Sequence, residues 1–444
     1  MSTASIKIWG ENVGAVTWLK ERGYAAFEYE PSFLAKGIEL SPIHLSAADG
    51  KAGRIFSFPN LDRETFKGLP GLLANSLPDD FGNKVIDSWL AKQGRQQGSF
   101  NPVERLCYLG GRGMGALEFI PSIAPKNLNR SVSIEVQKLL DLAQDVLTER
   151  NRLDVRLDVA DQDKADAMLD ILRVGVSAGG AVPKAVIAIN HEGRIVSGQA
   201  EAPEGYEHWI IKFDGVSPDV REGFGKSTDN CRVEYAYYLM AKEAGINMTE
   251  CRLLSENGSD HFLTKRFDRY HNEKIHVLTL AGISHLGWNP PGVVGYESAF
   301  QVMRTLKLPY NQQEQQFRRM VFNAIARNVD DHVKNISYLM DRSGQWQLSP
   351  AYDMTFSYKP DDGMGEMHKM TINNRQDKFV FDDFTEVAYN MEINKSEKII
   401  EEILGVVARW PEFANEAQVS PDVQKYVGNL HLNKNSLDQS LAGF

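Results

Sequence analysis

The sequence predicts an α+β chain in which strand-rich segments precede a mainly helical C-terminal lobe, and three observations carry this. Short alternating apolar runs separated by turn residues open the chain, a second group of strand-like runs lies between about Leu172 and Phe267, and helical apolar spacing dominates beyond residue 275. The length of 444 residues exceeds what one compact domain usually holds, so two or three domains are expected. We expect a β-rich domain over 1–125, a region with a glycine-rich loop over 126–270, and a helical lobe over 271–444.

In order along the chain, Ile6 to Trp9, Val13 to Trp18 and Ala25 to Tyr29 read as antiparallel strands joined by turns. Helical spacing follows at Asp80 to Lys92, through Phe81, Val85, Ile86 and Leu90, and again at Ser133 to Leu147. The stretch from Pro121 to Asn129 marks the first boundary. Ala185 to Ile189, Arg194 to Ser197 and His208 to Phe213 are strand candidates, and Cys251 to Leu254 pairs with His261 to Phe267 across the turn SENGSD. Between them Val233 to Ala244 has the spacing of a helix closed by Gly245. Further helices are expected at Glu314 to Ala326, where Phe317, Met320, Val321, Ala324 and Ile325 are in phase, and at Lys395 to Ala408.

The formal charge is −10, and 42% of residues are hydrophobic against 24% charged. These values exclude a disordered or collagen-like chain and disfavour nucleic acid as a direct partner of the whole surface. Cys107, Cys231 and Cys251 are too scattered for a disulfide framework or zinc ribbon, which suits a cytoplasmic protein. The first ten residues lack the basic and apolar segments of a signal peptide, and no run of about 18 apolar residues occurs, so neither export nor a membrane is expected.

The chemistry concentrates in Asn328-Val-Asp330-Asp331-His332-Val-Lys334-Asn335. An Asp followed five residues later by Asn suits phosphoryl transfer, with one carboxylate to accept a hydroxyl proton and one amide carbonyl to hold Mg²⁺. Ile336 to Met340 and Trp346 to Leu348 form a hairpin pattern that would fold Asp353 back towards Asn335 as a second metal ligand. Taken singly, these residues are ordinary cap and turn formers. In this order, with the hairpin between, they favour a metal site, and the five-residue spacing favours Asp330 over Asp331 as the base. Upstream, Lys212 interrupts an apolar strand and Glu234 lies on the next helix, the pairing that phosphate neutralisation requires. The turn Val174 to Lys184 carries Ser177, Gly179, Gly180 and Lys184, whose backbone amides and ammonium could approach phosphates.

This ordered set resembles the HipA-type serine/threonine kinase toxins of bacterial type II toxin–antitoxin modules, over nearly the whole chain. The resemblance also rests on Ser76 to Asn83, Leu109 to Leu117, Lys265 to Arg269 and Tyr352-Asp353. It implies a protein-kinase-like two-lobed fold with an added N-terminal domain, and ATP and Mg²⁺ as cofactors. It implies Asp330 as catalytic base, Asn335 and Asp353 as metal ligands, Lys212 and Lys184 as nucleotide contacts, and the backbone around Phe267 as the border of the adenine. Ser177 would be an inhibitory autophosphorylation site, since added negative charge beside the ATP phosphates displaces the loop. The implied partners are a HipB-type helix-turn-helix antitoxin, DNA only through that antitoxin, and a protein substrate in translation, at family level an aminoacyl-tRNA synthetase. Val182 departs from the glutamine common in the family's loop, and His276 to Trp288 lacks the acidic-glutamine pattern of its best-known member.

Other signals are discounted. Leu109 to Gly115 alternates glycines without the following helix and acid of a dinucleotide site. His271 and His276 read as surface residues rather than zinc ligands, and His332 as an organiser of its loop through backbone hydrogen bonds. Tyr235, Tyr237 and Tyr238 read as core and boundary residues of their helix. Two further functions compete with the protein kinase: a small-molecule or lipid kinase of the same fold, and a corepressor acting mainly through an antitoxin complex.

Overall fold

A computed structural model of the chain describes residues 2–78, 82–83, 86–87, 90, 94, 96, 98–123, 133–140, 184–214, 229–287, 290–360 and 362–438. The helices expected at Asp80 to Lys92 and Ser133 to Leu147 lie partly outside these residues, and Ser177, Gly179 and Gly180 lie wholly outside them. The chain divides into two compact units, Met1–Lys226 with Leu254–Val277 and Asp341–Gly344, and Ser227–Leu253 with Leu278–Met340 and Gln345–Phe444.

In the first unit, β1 (Thr3–Ile8), β2 (Glu11–Leu19), β3 (Tyr24–Tyr29) and β4 (Leu117–Ile120) form an antiparallel sheet of order β3-β2-β1-β4. Trp9 and Gly10, with φ of 51° and 84°, make the two-residue turn whose twist matches the strands it joins. A Cβ on Gly14 would stand 2.1 Å from the Glu28 carbonyl oxygen, so β2 can pass β3 this closely only through glycine. Helix α1 (Pro102–Leu109) buries Val103, Leu106, Cys107, Tyr108 and Leu109, and Asn101 and Glu104 close its start as a reciprocal capping box.

The second sheet is β5 (Lys184–Asn190), β6 (Ile195–Ser197), β7 (Tyr206–Lys212), β8 (Cys251–Glu256) and β9 (Ser259–Lys265), in order β6-β5-β7-β9-β8. Interior strand β5, flanked by β6 and β7, is buried along almost its whole length, in keeping with its run of Ala, Val and Ile. A hairpin of β10 (Arg269–Tyr270) and β11 (Glu273–Lys274) follows, then β12 (His276–Thr279).

The second unit is mainly helical: α2 (Asn230–Glu243), α3 (Glu297–Thr305), α4 (Tyr310–Ile325), α5 (Phe381–Asn390), α6 (Ser396–Val407), α7 (Trp410–Glu416) and α8 (Pro421–Leu430). Helix α4 starts four residues before the apolar periodicity does, because its first turns are polar and Pro309 fixes the entry. It packs on α6, and α2 packs on α7. The Tyr237 hydroxyl donates to the Ala326 carbonyl from the core face of α2, while Tyr235 and Tyr238 are half-buried, as expected. Gly245, at φ 72°, follows α2 in the left-handed conformation that closes a helix. The hairpin of β13 (Ser337–Met340) and β14 (Trp346–Leu348) forms as its pattern predicts, with β12 as the third strand. The α+β expectation therefore holds, with sheets towards the N-terminus and helices towards the C-terminus.

Two expectations need correction. Residues 276–279 form a strand where helices were expected beyond 275, because β13 offers them a ladder. His276 is not a surface residue: it is 1% exposed, with Nε2 3.2 Å from the Leu40 carbonyl oxygen, and burial pulls its pKa down to about 4. His271 is exposed, as expected.

Candidate active site

The residues named from sequence divide between the two units. In the first unit, the register of β5 against β7 sets Lys184 directly opposite Lys212. Side chains so placed stand about 5 Å apart at Cβ, and like charges there repel. Lys184 is buried and Lys212 half-buried, its ammonium 5.8 Å from the Phe262 ring centre.

Phe267 follows β9 and is half-buried, between two buried charged residues. Arg266 donates to both oxygens of Asp268, from Nε at 2.8 Å and Nη2 at 2.7 Å. Arg269 donates to the same carboxylate at 2.7 Å and to the carbonyls of Gly115 and Gly113 at 3.0 and 2.9 Å. Gly115 N–H donates to Asp268 at 2.8 Å, and Lys274 donates to the Gly111 carbonyl and Glu118, both at 2.6 Å. The glycine segment 109–115 therefore serves as a set of backbone partners for the Lys265–Arg269 motif. Gly115 has φ 78° and lies against Val277, where a side chain would be strained. Burial alone would raise the Asp268 carboxyl, but Arg266 and Arg269 outweigh it and hold the group well below the usual carboxylate range.

In the second unit, α4 delivers the chain into the loop that carries Asp330, Asp331, His332 and Asn335. The two aspartates have opposite fates. Asp331 is 2% exposed and accepts from Tyr296 Oη and Lys369 N–H at 2.8 Å each, and it lies 2.8 Å from His368 Nδ1. Asp330 is exposed, and its carboxylate makes no hydrogen bond or ion pair among the described residues, while its N–H donates to Ser357 Oγ at 3.0 Å. One carboxylate is engaged in holding the loop, and its neighbour's carboxylate is exposed and without a hydrogen bond among the described residues.

Asn335 Nδ2 donates to the Asp330 carbonyl at 3.0 Å, which turns Oδ1 into the amide's remaining donor atom for a cation. Asn335 N–H donates to the His332 carbonyl at 2.8 Å, a backbone tie within the loop. Asn335 and Asp353 line one cavity together with Asp331 and Tyr352. Asp353 is in the left-handed conformation, φ 57°, which a non-glycine residue adopts at a cost and often at functional sites. The oxygen donors of Asn335 and Asp353 fit Mg²⁺, which usually takes one or two carboxylates and completes its shell with water and phosphate oxygens. Among the described residues no group of three His, Cys, Asp or Glu is placed to hold a metal by itself. Glu234 is buried on the core face of α2.

Sequence reasoning missed the residues behind this loop. Asn323 Nδ2 donates to Tyr296 Oη at 2.8 Å, and Asn328 Nδ2 to Asn323 Oδ1 at 3.0 Å, so a hydrogen-bonded chain runs from Asp331 into the loop. Gln316, Arg319 and Asn323 recur at i, i+3 and i+7 along α4, a polar stripe that the apolar phase concealed.

Two family models match the chain: the HipA N-terminal domain over residues 4–120 and the HipA-like C-terminal domain over 176–410. A Haemophilus influenzae protein named "Putative kinase" is 25% identical over 205 residues, 38% of this chain and 59% of the relative, so the chain spans well under two thirds of that protein. The HipA chain in a Shewanella oneidensis MR-1 complex of HipA, HipB and operator DNA has the same fold, with TM-score 0.63, 16% identity, and coverage of 98% of this chain and 95% of that one. Among the described residues no helix is long and apolar enough to cross a membrane.

Proposed function

The chain belongs to the HipA family, and from that premise we propose that it is an ATP- and Mg²⁺-dependent serine/threonine protein kinase of a toxin–antitoxin module. The observation that carries the reading is the split between the twin aspartates: Asp331 is buried and fully engaged, and Asp330 is exposed five residues before an oriented Asn335.

In this reading Asp330 accepts the proton of a Ser or Thr hydroxyl as its oxygen bonds the γ-phosphorus of ATP, and the bond to the β,γ-bridging oxygen breaks to release ADP. Lys212 and Lys184 hold the phosphates, Glu234 supports the lysine, and the backbone at Phe267 borders the adenine. Asn335 and Asp353 would hold Mg²⁺, which would supply positive charge to offset the negative charge of the transferring phosphoryl group. His332 keeps Asn335 in place. Gly179 and Gly180 bring backbone amides to the phosphates, and Ser177 on the same loop is the autophosphorylation site that switches the enzyme off. The partners are a HipB-type antitoxin, through which DNA is reached, and a translation component such as an aminoacyl-tRNA synthetase, in the cytoplasm.

The test is intact-mass spectrometry of the full chain after incubation with ATP and Mg²⁺, followed by peptide mapping. The expected result is one added phosphate on Ser177. A chain with Ser177 unmodified throughout, which neither takes up phosphate nor consumes ATP with cell extract as substrate, would overturn the kinase reading.

A further inference from the structure

This inference rests on the reading of Asn335 and Asp353 as the cation's ligands. Along α4, Gln316 and Arg319 are 0% and 6% exposed and line the cavity that Asn335 and Asp353 share. Arg319 is a buried cation whose hydrogen bonds go to carbonyls, Ser349 at 2.6 Å and Asn247 at 3.4 Å, and to no carboxylate. Buried charges are normally paired, because an isolated one is expensive to desolvate. The carboxylates in the cavity lining are Asp331 and Asp353. Among the described residues Arg319 Nε and both ends of the Gln316 amide lack a protein partner, and the cavity, about 20 Å³, has room for roughly one water among them.

The segment that Arg319 grips leads straight to Asp353. Ala351 N–H donates to the Asn247 carbonyl at 2.8 Å, and Tyr352 Oη donates to the Lys334 carbonyl at 2.6 Å and lies 2.6 Å from Ser337 Oγ. Together these contacts hold Ser349, Ala351 and Tyr352, immediately before a backbone at φ 57°. A strained conformation persists only where its surroundings over-determine it.

We propose that Arg319 is a positioning residue for the divalent cation: from α4 it holds the Ser349–Asp353 segment in the strained form that keeps Asp353 on the cavity shared with Asn335. One terminal nitrogen of the guanidinium, Nη2, donates to the carbonyls of both Ser349 and Asn247. Loss of these bonds lets Asp353 relax out of the left-handed region and separates the two ligands. Outer-shell residues of this kind typically change metal affinity by about 10- to 100-fold.

The test uses the full chain with a non-hydrolysable ATP analogue and Mn²⁺ as the paramagnetic probe, so that no turnover is needed. Mn²⁺ affinity by electron paramagnetic resonance, metal-free analogue affinity and thermal melting are compared for wild type, Arg319→Met, Arg319→Lys and Asp353→Asn. We expect Arg319→Met to weaken Mn²⁺ about 10- to 100-fold with metal-free analogue binding unchanged, and Arg319→Lys to fall between it and wild type. Should Arg319→Met not fold, Tyr352→Phe, which removes one hydroxyl from the same segment, is expected to weaken Mn²⁺ in the same direction. A folded Arg319→Met, or in its place Tyr352→Phe, with wild-type Mn²⁺ affinity would overturn the inference alone. Wild type that binds no Mn²⁺, or Asp353→Asn that leaves it unchanged, would overturn the reading of the site itself.

Discussion

The molecule buries arginine in two contrasting ways. At the 265–274 segment, Arg266 and Arg269 share the fully buried carboxylate of Asp268, and Arg269 also donates to the carbonyls of Gly115 and Gly113. At α4, Arg319 has only carbonyl partners, lies beside a cavity, and grips a segment whose next residue is strained. The first arrangement is closed around a shared carboxylate, and it fixes one part of the first unit upon another. The second has no carboxylate partner among the described residues, and its hydrogen bonds hold the chain that leads to Asp353. The same contrast divides the twin aspartates, with Asp331 closed and Asp330 open.

The largest stability effects should fall on the closed sites. Asp268→Ala leaves two buried guanidinium groups without their anion, and Asp331→Ala strips partners from Tyr296, His368 and the Lys369 N–H. Each is expected to cost about 3–5 kcal/mol in denaturant unfolding. A loss below about 1 kcal/mol in either would erase the distinction between closed and open.

Acid should dismantle the first unit in two stages. His276 and His208 are each pulled down to about 4, in both cases chiefly by burial, so they stay neutral in the folded chain. Their contribution is present above the unfolded value near 6.5 and is lost as pH falls towards 4, by up to about 3 kcal/mol per ring. Asp268 is depressed instead, so its contribution persists through that window and is lost only below about pH 4. Unfolding midpoints measured from pH 7 to pH 3 should show both stages, and His276→Gln should flatten the first. A flat profile down to pH 4 in wild type would contradict the neutral-histidine assignment.

The smallest effect belongs to a feature remote from either arginine. Asn101→Ala removes the cap of α1, where Asn101 Oδ1 accepts from Glu104 N–H at 3.1 Å. It should cost about 1 kcal/mol by calorimetry and leave nucleotide and metal binding untouched.

Much of this was legible in the sequence, because local chemistry wrote it there. Alternation gave β1 to β3, helical phase gave α2, α4 and α6, and the five-residue step from Asp330 to Asn335 survived as an oriented loop. The β13–β14 pattern brought Asp353 to the cavity of Asn335 without any knowledge of the third dimension. What escaped depends on distant partners. Asp331 is told from Asp330 by Tyr296 and His368, 35 and 37 residues away. The pairing of Lys184 with Lys212 follows from strand register, and the burial of His276 from a carbonyl 236 residues earlier. The stripe Gln316, Arg319 and Asn323 was concealed by the apolar phase of the same helix, although polar residues at helical spacing are a signal in their own right.

The account stands most directly on one rate: phosphate transfer from ATP by Asp330→Asn relative to wild type, with Mg²⁺ present and equal folded fractions confirmed by melting. Because Asp330 is exposed and bears none of the loop's load, the variant should melt like wild type while transfer falls by about 10²- to 10⁴-fold. A variant that melts like wild type and still transfers phosphate within a factor of about two would contradict the assignment of Asp330 as the base.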